Sequence, residues 1–306
     1  MESKIENDYK TWVNILSSKI IAVLLSSLIV ISFSLTGFSG LSVTPLLLDF
    51  TMDPGSSHSG SLEVQNTGST PLIVQSQVRG FKTSLKGTAQ FLSGEAAKSY
   101  PYSGEALLKL EPAKVTLEGG ESKKFTYELN YPKRPEPFGG RYVGALFQAA
   151  PANQENKETK GSSIEVATRV GTLILVRPGE EIVLEDEFQE YRVKPEITQV
   201  NARKVYEGRR LLVSTYLKNS GNIHIRKKEF TGTVTIQKPS GETVEELKIS
   251  PHNVLPDTEY ALTELWKIPD DLKEGEATTY SIKVNISVKT PYGNSIKVEE
   301  TAKVRI

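Results

Sequence analysis

Residues 162–178, SSIEVATRVGTLILVRP, narrow the choice of fold more than any other part of the chain. Ile164, Val166, Thr168, Val170, Thr172, Ile174 and Val176 recur with period two and all are β-branched. That pattern suits a long strand pressed against a core or a partner, and it defeats a helix. The alternate positions Ser163, Glu165, Ala167, Arg169, Gly171, Leu173, Leu175 and Arg177 pass from polar to apolar. The first half of the strand is therefore expected to face solvent and the second half to be covered on both sides. Residues 151–161, polar and without an apolar anchor, read as a mobile loop before it. Arg177-Pro178-Gly179-Glu180 ends it, because proline has no amide to donate to a ladder.

The rest of the chain repeats the theme on a smaller scale. Short runs rich in threonine, valine and tyrosine alternate with glycine or proline punctuation, the signature of an all-β chain. At 306 residues it has room for a leader and two domains that each bury a core. Lysine plus arginine equals aspartate plus glutamate at 37 each, so no global field draws in nucleic acid. The absence of cysteine removes disulfide frameworks, thiolate metal sites and cysteine nucleophiles together.

Residues 20–38, IIAVLLSSLIVISFSLTGF, carry no charge and match the roughly 17 to 25 residues that a helix needs to cross a bilayer. Lys4, Lys10 and Lys19 precede them, and no lysine or arginine follows until Arg79. The positive-inside bias thus places residues 1–19 in the cytoplasm and the body outside it. A retained membrane anchor and a cleaved signal peptide both remain open, since Gly37 and Ser39 offer small residues for a cleavage site while the apolar run exceeds a usual signal core.

Residues 41–185 divide into an opening strand over 41–52 with Pro45 as an edge or bulge, a D-P-G turn, a strand over 60–66, and an N-T-G turn into 71–78. A weakly patterned loop or small hairpin occupies 83–104. Strands over 107–112, 113–117, 124–130 and 141–147 follow, and seven or more such runs indicate an immunoglobulin-like sandwich. The order of "LEPAKVTLEGGESKKFTYELNYP", "FGGRYVGALF", a mobile loop and "ATRVGTLILVRP" resembles the N-terminal domain of PapD-like pilus chaperones. It is also similar to the domain assigned to peptidoglycan binding in WxL-interacting cell-surface proteins. In the pilus chaperones, the strand after the loop completes a subunit by strand addition, a known use of a sheet edge. The resemblance implies a partner-binding role for Ile164, Val166, Thr168, Arg169 and Val170. It also implies two basic residues that hold a subunit's C-terminal carboxylate; Arg169 stands at the second position, and residues 41–52 contain none for the first. The alternative is that the β-branched face packs into its own domain's core.

Residues 186–306 read as a second sandwich. Glu180 to Pro195 is an acidic, then mixed connection whose Phe188 and Tyr191 are candidates for packing between domains. Strands fall over 197–200, 210–217, 232–236, 245–249, 253–256, 264–266 and 280–288, with a last one to Ile306; N-S-G at Asn219 mirrors N-T-G at Asn66. "NSGNIHIRKKEFTGTVTIQKPSGETVEEL" with "NVLPDTEYALTELW" resembles the second immunoglobulin-like domain of WxL-interacting proteins.

Catalytic and metal signatures are missing. His58, His224 and His252 are scattered and form no zinc spacing; Gly119-Gly120 and Gly139-Gly140 stand at strand turns, not before helices. Glu185-Asp186-Glu187 reads as a solvated linker rather than a calcium loop, and Lys123-Lys124 and Arg226-Lys227-Lys228 as solvated faces rather than polymer contacts. Asn285-Ile-Ser287 fits a glycosylation acceptor but lies inside an alternating strand, and Trp266 reads as core. The expectation is an all-β chain of two tandem immunoglobulin-like, PapD-like sandwiches after an N-terminal hydrophobic helix. It needs no cofactor or metal, is not an enzyme, and is tethered to the membrane through residues 20–38. Its partner is a cell-surface or envelope protein or a cell-wall polymer, with no nucleic acid; the oligomeric state is open. The alternative is an assembly chaperone that donates residues 162–176 to a surface subunit.

Overall fold

Two prolines set the layout of the first sandwich. The computed structural model describes residues 40–134, 136–152, 168–179, 182–184, 187–189, 191–207, 209–269 and 278–306. The opening strand breaks at Pro45 into β1 (Leu41–Thr44) and β2 (Leu47–Met52). β1 pairs antiparallel with β3 (Ser57–Asn66), whereas β2 runs parallel to β10 (Thr168–Pro178) in the other sheet. Pro112 repeats the manoeuvre. β6 (Leu108–Glu111) pairs with β8 (Ser122–Asn130), and β7 (Lys114–Leu117) pairs with β4 (Leu72–Thr83) across the sandwich. A strand that meets proline loses its ladder there, which is where a change of sheet disturbs least. The receiving sheet holds each crossing with a hydroxyl: Thr172 Oγ1 donates to Pro45 O at 2.6 Å, and Ser76 Oγ to Pro112 O at 2.8 Å.

One sheet has the order β1-β3-β8-β6. The other runs β2-β10-β9-β4-β5, with β9 at Arg141–Pro151, β5 at Ala89–Phe91 and β7 alongside β4. Leu62, Val64, Phe125, Leu129, Phe147 and Ile174 are among the side chains that fill the space between them. The weakly patterned 83–104 segment is the tip of the β4–β5 hairpin followed by a short helix, α1 (Glu95–Ser99). A small hairpin of β11 (Ile182–Leu184) and β12 (Glu187–Gln189) leads on.

The second sandwich packs β13 (Pro195–Val205), β14 (Arg210–Asn219) and β17 (Thr258–Lys267) against the sheet β16-β15-β18-β19. These last four span Thr243–Lys248, Phe230–Gln237, Thr279–Lys289 and Ser295–Arg305. Seven antiparallel strands in a three-plus-four arrangement make an immunoglobulin-like sandwich. Trp266 is buried in its core, as are Ile282, Val284, Ile286 and Val288. Residues 253–256 are not a strand; Val254 makes only an isolated bridge to Ile225.

The two N-x-G turns are the same device used twice. Asn66 Nδ2 donates to the carbonyls of Thr70, Leu117 and Glu118 at 2.8, 3.1 and 3.0 Å, and its Oδ1 accepts from Gly68 N. Asn219 Nδ2 donates to Ile223 O and Val254 O at 2.9 and 3.0 Å, and its Oδ1 accepts from Gly221 N and Lys194 N. Each fully buried carboxamide closes the end of the equivalent strand, β3 or β14, by satisfying backbone groups that leave the ladder. The chain is thus all-β, two tandem sandwiches built on one plan. Among the described residues no helix is long and apolar enough to cross a membrane; residues 20–38 lie outside them.

Candidate functional site

β10 is paired on both sides for only half its length. It lies antiparallel to β9 from Thr168 to Val176, but β2 joins its other side only from Leu173 onward. Leu173 N donates to Leu46 O at 2.9 Å. Backbone polar groups alternate sides along a strand, so Arg169 and Gly171 turn their amides and carbonyls the same way as Leu173. There no described strand meets them. This is a short free edge, flanked by the two most exposed leucines of β2's leading end, Leu46 at 68% and Leu47 at 46%.

Register assigns the faces. Leu47, Asp49 and Thr51 pair with Leu173, Leu175 and Arg177, and these six share the outer face of the sheet. Thr172, Ile174 and Val176 point the other way; Ile174 and Val176 lie in the core and Val170 packs against it. Gly171 admits the crossing Leu146: a Cβ on it would stand 2.6 Å from Leu146 Cδ2. The lower part of the outer face is covered by the second sandwich, while Leu47 and Leu173 stand at the mouth of the covered zone. The free edge therefore runs straight out of the junction between the sandwiches.

That junction is polar and tightly paired. Arg226 makes a two-pronged contact with Asp49 (Nη2 and Nε to Oδ1 at 2.8 and 3.1 Å) and reaches Phe50 O and Thr51 Oγ1. Arg177 Nη1 meets both oxygens of Glu229 at 2.9 and 2.7 Å, with both side chains largely buried. His224, fully buried, sits with Nδ1 3.3 Å from Tyr142 Oη and Nε2 3.4 Å from Asp49 Oδ1. Burial pushes its imidazole below the usual histidine range; Asp49 opposes this, and the neighbouring Arg177 and Arg226 add to it. Burial raises the Asp49 carboxyl, but the hydrogen bonds and charge supplied by His224 and Arg226 outweigh it and hold the group below the usual carboxylate range.

Three further contacts lock the two sandwiches together. The β4–β5 hairpin tip presents Leu85 O to Ala261 N of edge strand β17 at 2.7 Å, and Gly87, at φ +74°, lies under the Tyr260 ring. Tyr100 Oη donates to Pro256 O, and Phe81, Tyr102, Tyr142, Leu175 and Leu255 form a shared apolar cluster. Phe138 stacks on Tyr191 at 3.9 Å, which places Tyr191 between the sandwiches as its aromatic character suggested; burial pushes its phenol up to about 12. Arg141 holds the loop that carries Phe138, donating to the carbonyls of Pro137, Gly139 and Gly140.

Of the sequence-derived binding residues, Thr168 and Val170 are half-buried and Arg169 is exposed, its Nη2 donating to Gln148 Oε1 at 2.9 Å. Ile164 and Val166 lie outside the described residues. Arg226 is not part of a solvated face: it is a main tie of the junction, while Lys227 and Lys228 are exposed. Among the described residues no three histidine, aspartate or glutamate side chains gather as a metal would need.

No protein-family model matches the chain, and neither does any curated protein. Solved structures that align with it include the YadV chaperone, at 12% identity and TM-score 0.40 over 86% of this chain and 99% of that one. The Escherichia coli chaperone DraB aligns at 16% identity and TM-score 0.38, over 87% and 98%. A chain of the Salmonella enterica SafA pilin–SafB chaperone complex aligns at 14% identity and TM-score 0.37, over 89% and 98%. At these TM-scores the likeness adds nothing to the strand pairing, on which the fold assignment rests.

Proposed function

We propose that this chain is a non-enzymatic binding protein of the cell envelope that takes up an extended segment of a protein partner along the free edge of β10, in the manner of an assembly chaperone. The observation that carries this reading is the half-paired β10. Arg169 and Gly171 offer two amides and two carbonyls to one side, beside exposed Leu46 and Leu47, on a strand whose far half is anchored in the core and the junction. Strand addition draws affinity from main-chain hydrogen bonds and specificity from flanking side chains. The rigid junction fixes the edge relative to the second sandwich, so less freedom is lost when a partner docks. The apolar stretch at 20–38 and the lysines before it support a body held outside the cytoplasm near a membrane, where a tether raises local concentration.

A crosslinking pull-down tests the reading. Arg169→Pro deletes an amide that points away from β9, so the ladder survives while the edge loses a donor. The parent should capture a protein partner that Arg169→Pro and Leu46→Asp/Leu47→Asp variants of unchanged melting temperature lose. Equal capture by parent and both variants would sink the proposal.

A further inference from the structure

The outer face of the sheet β16-β15-β18-β19 carries a trough of about 740 Å³, separate from the β10 edge. Register sets its floor. Thr233 lies between Lys248 on β16 and Asn285 on β18, and Thr231 lies opposite Ser287, which is opposite Lys297 on β19. The intervening Val234, Val284 and Ile286 are buried in the core, so these six side chains point outward.

Three features of this floor point to a ligand. Thr233, Asn285 and Ser287 make no side-chain hydrogen bond to another described residue, and Thr231 reaches only Ser287 O at 3.4 Å. Lys248 and Lys297 have no described carboxylate within ion-pair distance, while Glu299, the one acid in the lining, is taken by Lys283 at 2.8 Å. Glu246, two residues from Lys248 on the same face, is the other acid nearby. Half-buried Pro251 supplies an apolar rim, while Ile249 beside it belongs to the core.

We infer that this trough binds an acidic glycan, a chain of sugar units bearing carboxylates. Hydroxyl and carboxamide groups both donate and accept, which matches sugar hydroxyls, which do the same. The Pro251 ring suits the C–H face of a sugar ring, and the two ammonium groups, without a carboxylate partner among the described residues, suit carboxylates. Lys248 and Lys297 stand on strands three spacings apart, about 14 Å at roughly 4.8 Å each. That separation exceeds one sugar ring and calls for an oligomer. A peptide fits less well, because β15 and β18 are paired on both sides and leave no backbone groups free on the floor.

The test is calorimetric titration of the full chain with oligogalacturonate, a neutral malto-oligosaccharide of equal length, and inorganic polyphosphate. Oligogalacturonate should bind, and the neutral sugar should bind at least about 10-fold more weakly. Thr233→Val and Asn285→Ala should each weaken binding about 2- to 10-fold, the worth of one hydrogen bond. Lys248→Gln with Lys297→Gln should reduce it to the level of the neutral sugar. Thr233→Val keeps the side-chain shape, so it decides the matter if Asn285→Ala fails to fold. Absence of oligogalacturonate binding, equal binding of polyphosphate, or an unchanged affinity in a folded Thr233→Val variant would each overturn the inference.

Discussion

Replacing Asn219 asks whether the buried carboxamide really closes the end of β14. Its two N–H groups and its oxygen's two lone pairs are all used, on Ile223 O, Val254 O, Gly221 N and Lys194 N, so the group is saturated. Asn219→Ala leaves Ile223 O, Gly221 N and Lys194 N without a partner, while Val254 O keeps the amide of Ile225. At about 1 kcal/mol or more for each buried group left unmade, and with partial relief where Lys194 lies near solvent, the loss should be about 3–5 kcal/mol. Asn219→Asp is the sharper variant. It keeps the acceptor side but turns a carboxylate oxygen toward two carbonyls, so the folded state should raise the new group's pKa above its unfolded value. The stability that survives is then present below the ordinary carboxylate range near pH 3.9 and is lost as pH rises through the folded pKa. Urea unfolding followed by Trp266 fluorescence, in a Trp12→Phe background, reads the second sandwich alone. A loss under about 1 kcal/mol for Asn219→Ala, or an Asn219→Asp chain as stable as the parent at pH 7, would refute the reasoning.

Other expectations follow from the junction. Glu229→Gln should cost about 3–5 kcal/mol in urea unfolding, because it strands a buried guanidinium; Arg177→Leu with Glu229→Leu should cost much less, and a double variant as damaging as the single would contradict this. The His224 pKa is depressed in the folded state, so the unfolded chain binds the proton first. Melting temperature should therefore fall as pH drops below about 6.5, and His224→Gln should flatten that fall. His252, also depressed by burial and by Lys227, contributes with the same sign and should leave a smaller residual slope. Gly87→Val meets both a positive φ and the Tyr260 ring, so it should loosen the hairpin's seat on β17 and increase the radius of gyration in solution scattering; an unchanged profile would show that the seat is dispensable.

Much of the fold can be read from local pattern, because strands and turns are local devices. The clean alternation at Ile282, Val284, Ile286 and Val288 and the paired N-x-G turns at Asn66 and Asn219 became a core strand and two matching closures. The polar-to-apolar drift from Arg169 to Arg177 became a strand whose far half is covered on both faces. What the pattern hid was long-range. Pro45 read as an edge or bulge and Pro112 as the end of a strand, and only the sheet order shows that each is a crossing. The 83–104 segment lacked periodicity because Leu85 and Tyr100 meet the second sandwich and Tyr102 joins the shared cluster, so none of them aligns with a neighbouring core position. Asp49, Arg177, His224, Arg226 and Glu229 are single polar residues on separate elements, and no spacing announces that they will meet. One signal was available: Arg177 is charged directly after Leu173 and Leu175 at the apolar end of that face, which demands a buried acid from elsewhere. As for the binding residues, the feature that distinguishes the edge is which way the Arg169 and Gly171 backbone points, and that depends on where β2 begins.

The most direct test of the β10 edge is amide hydrogen exchange at Arg169 and Gly171, in the free chain and in complex with a purified partner. The account predicts fast exchange at both positions in the free chain, slow exchange at Val170 and Thr172, whose amides face β9, and protection of Arg169 and Gly171 once the partner is bound. Protection of those two amides in the free chain, or no change on binding, would contradict it.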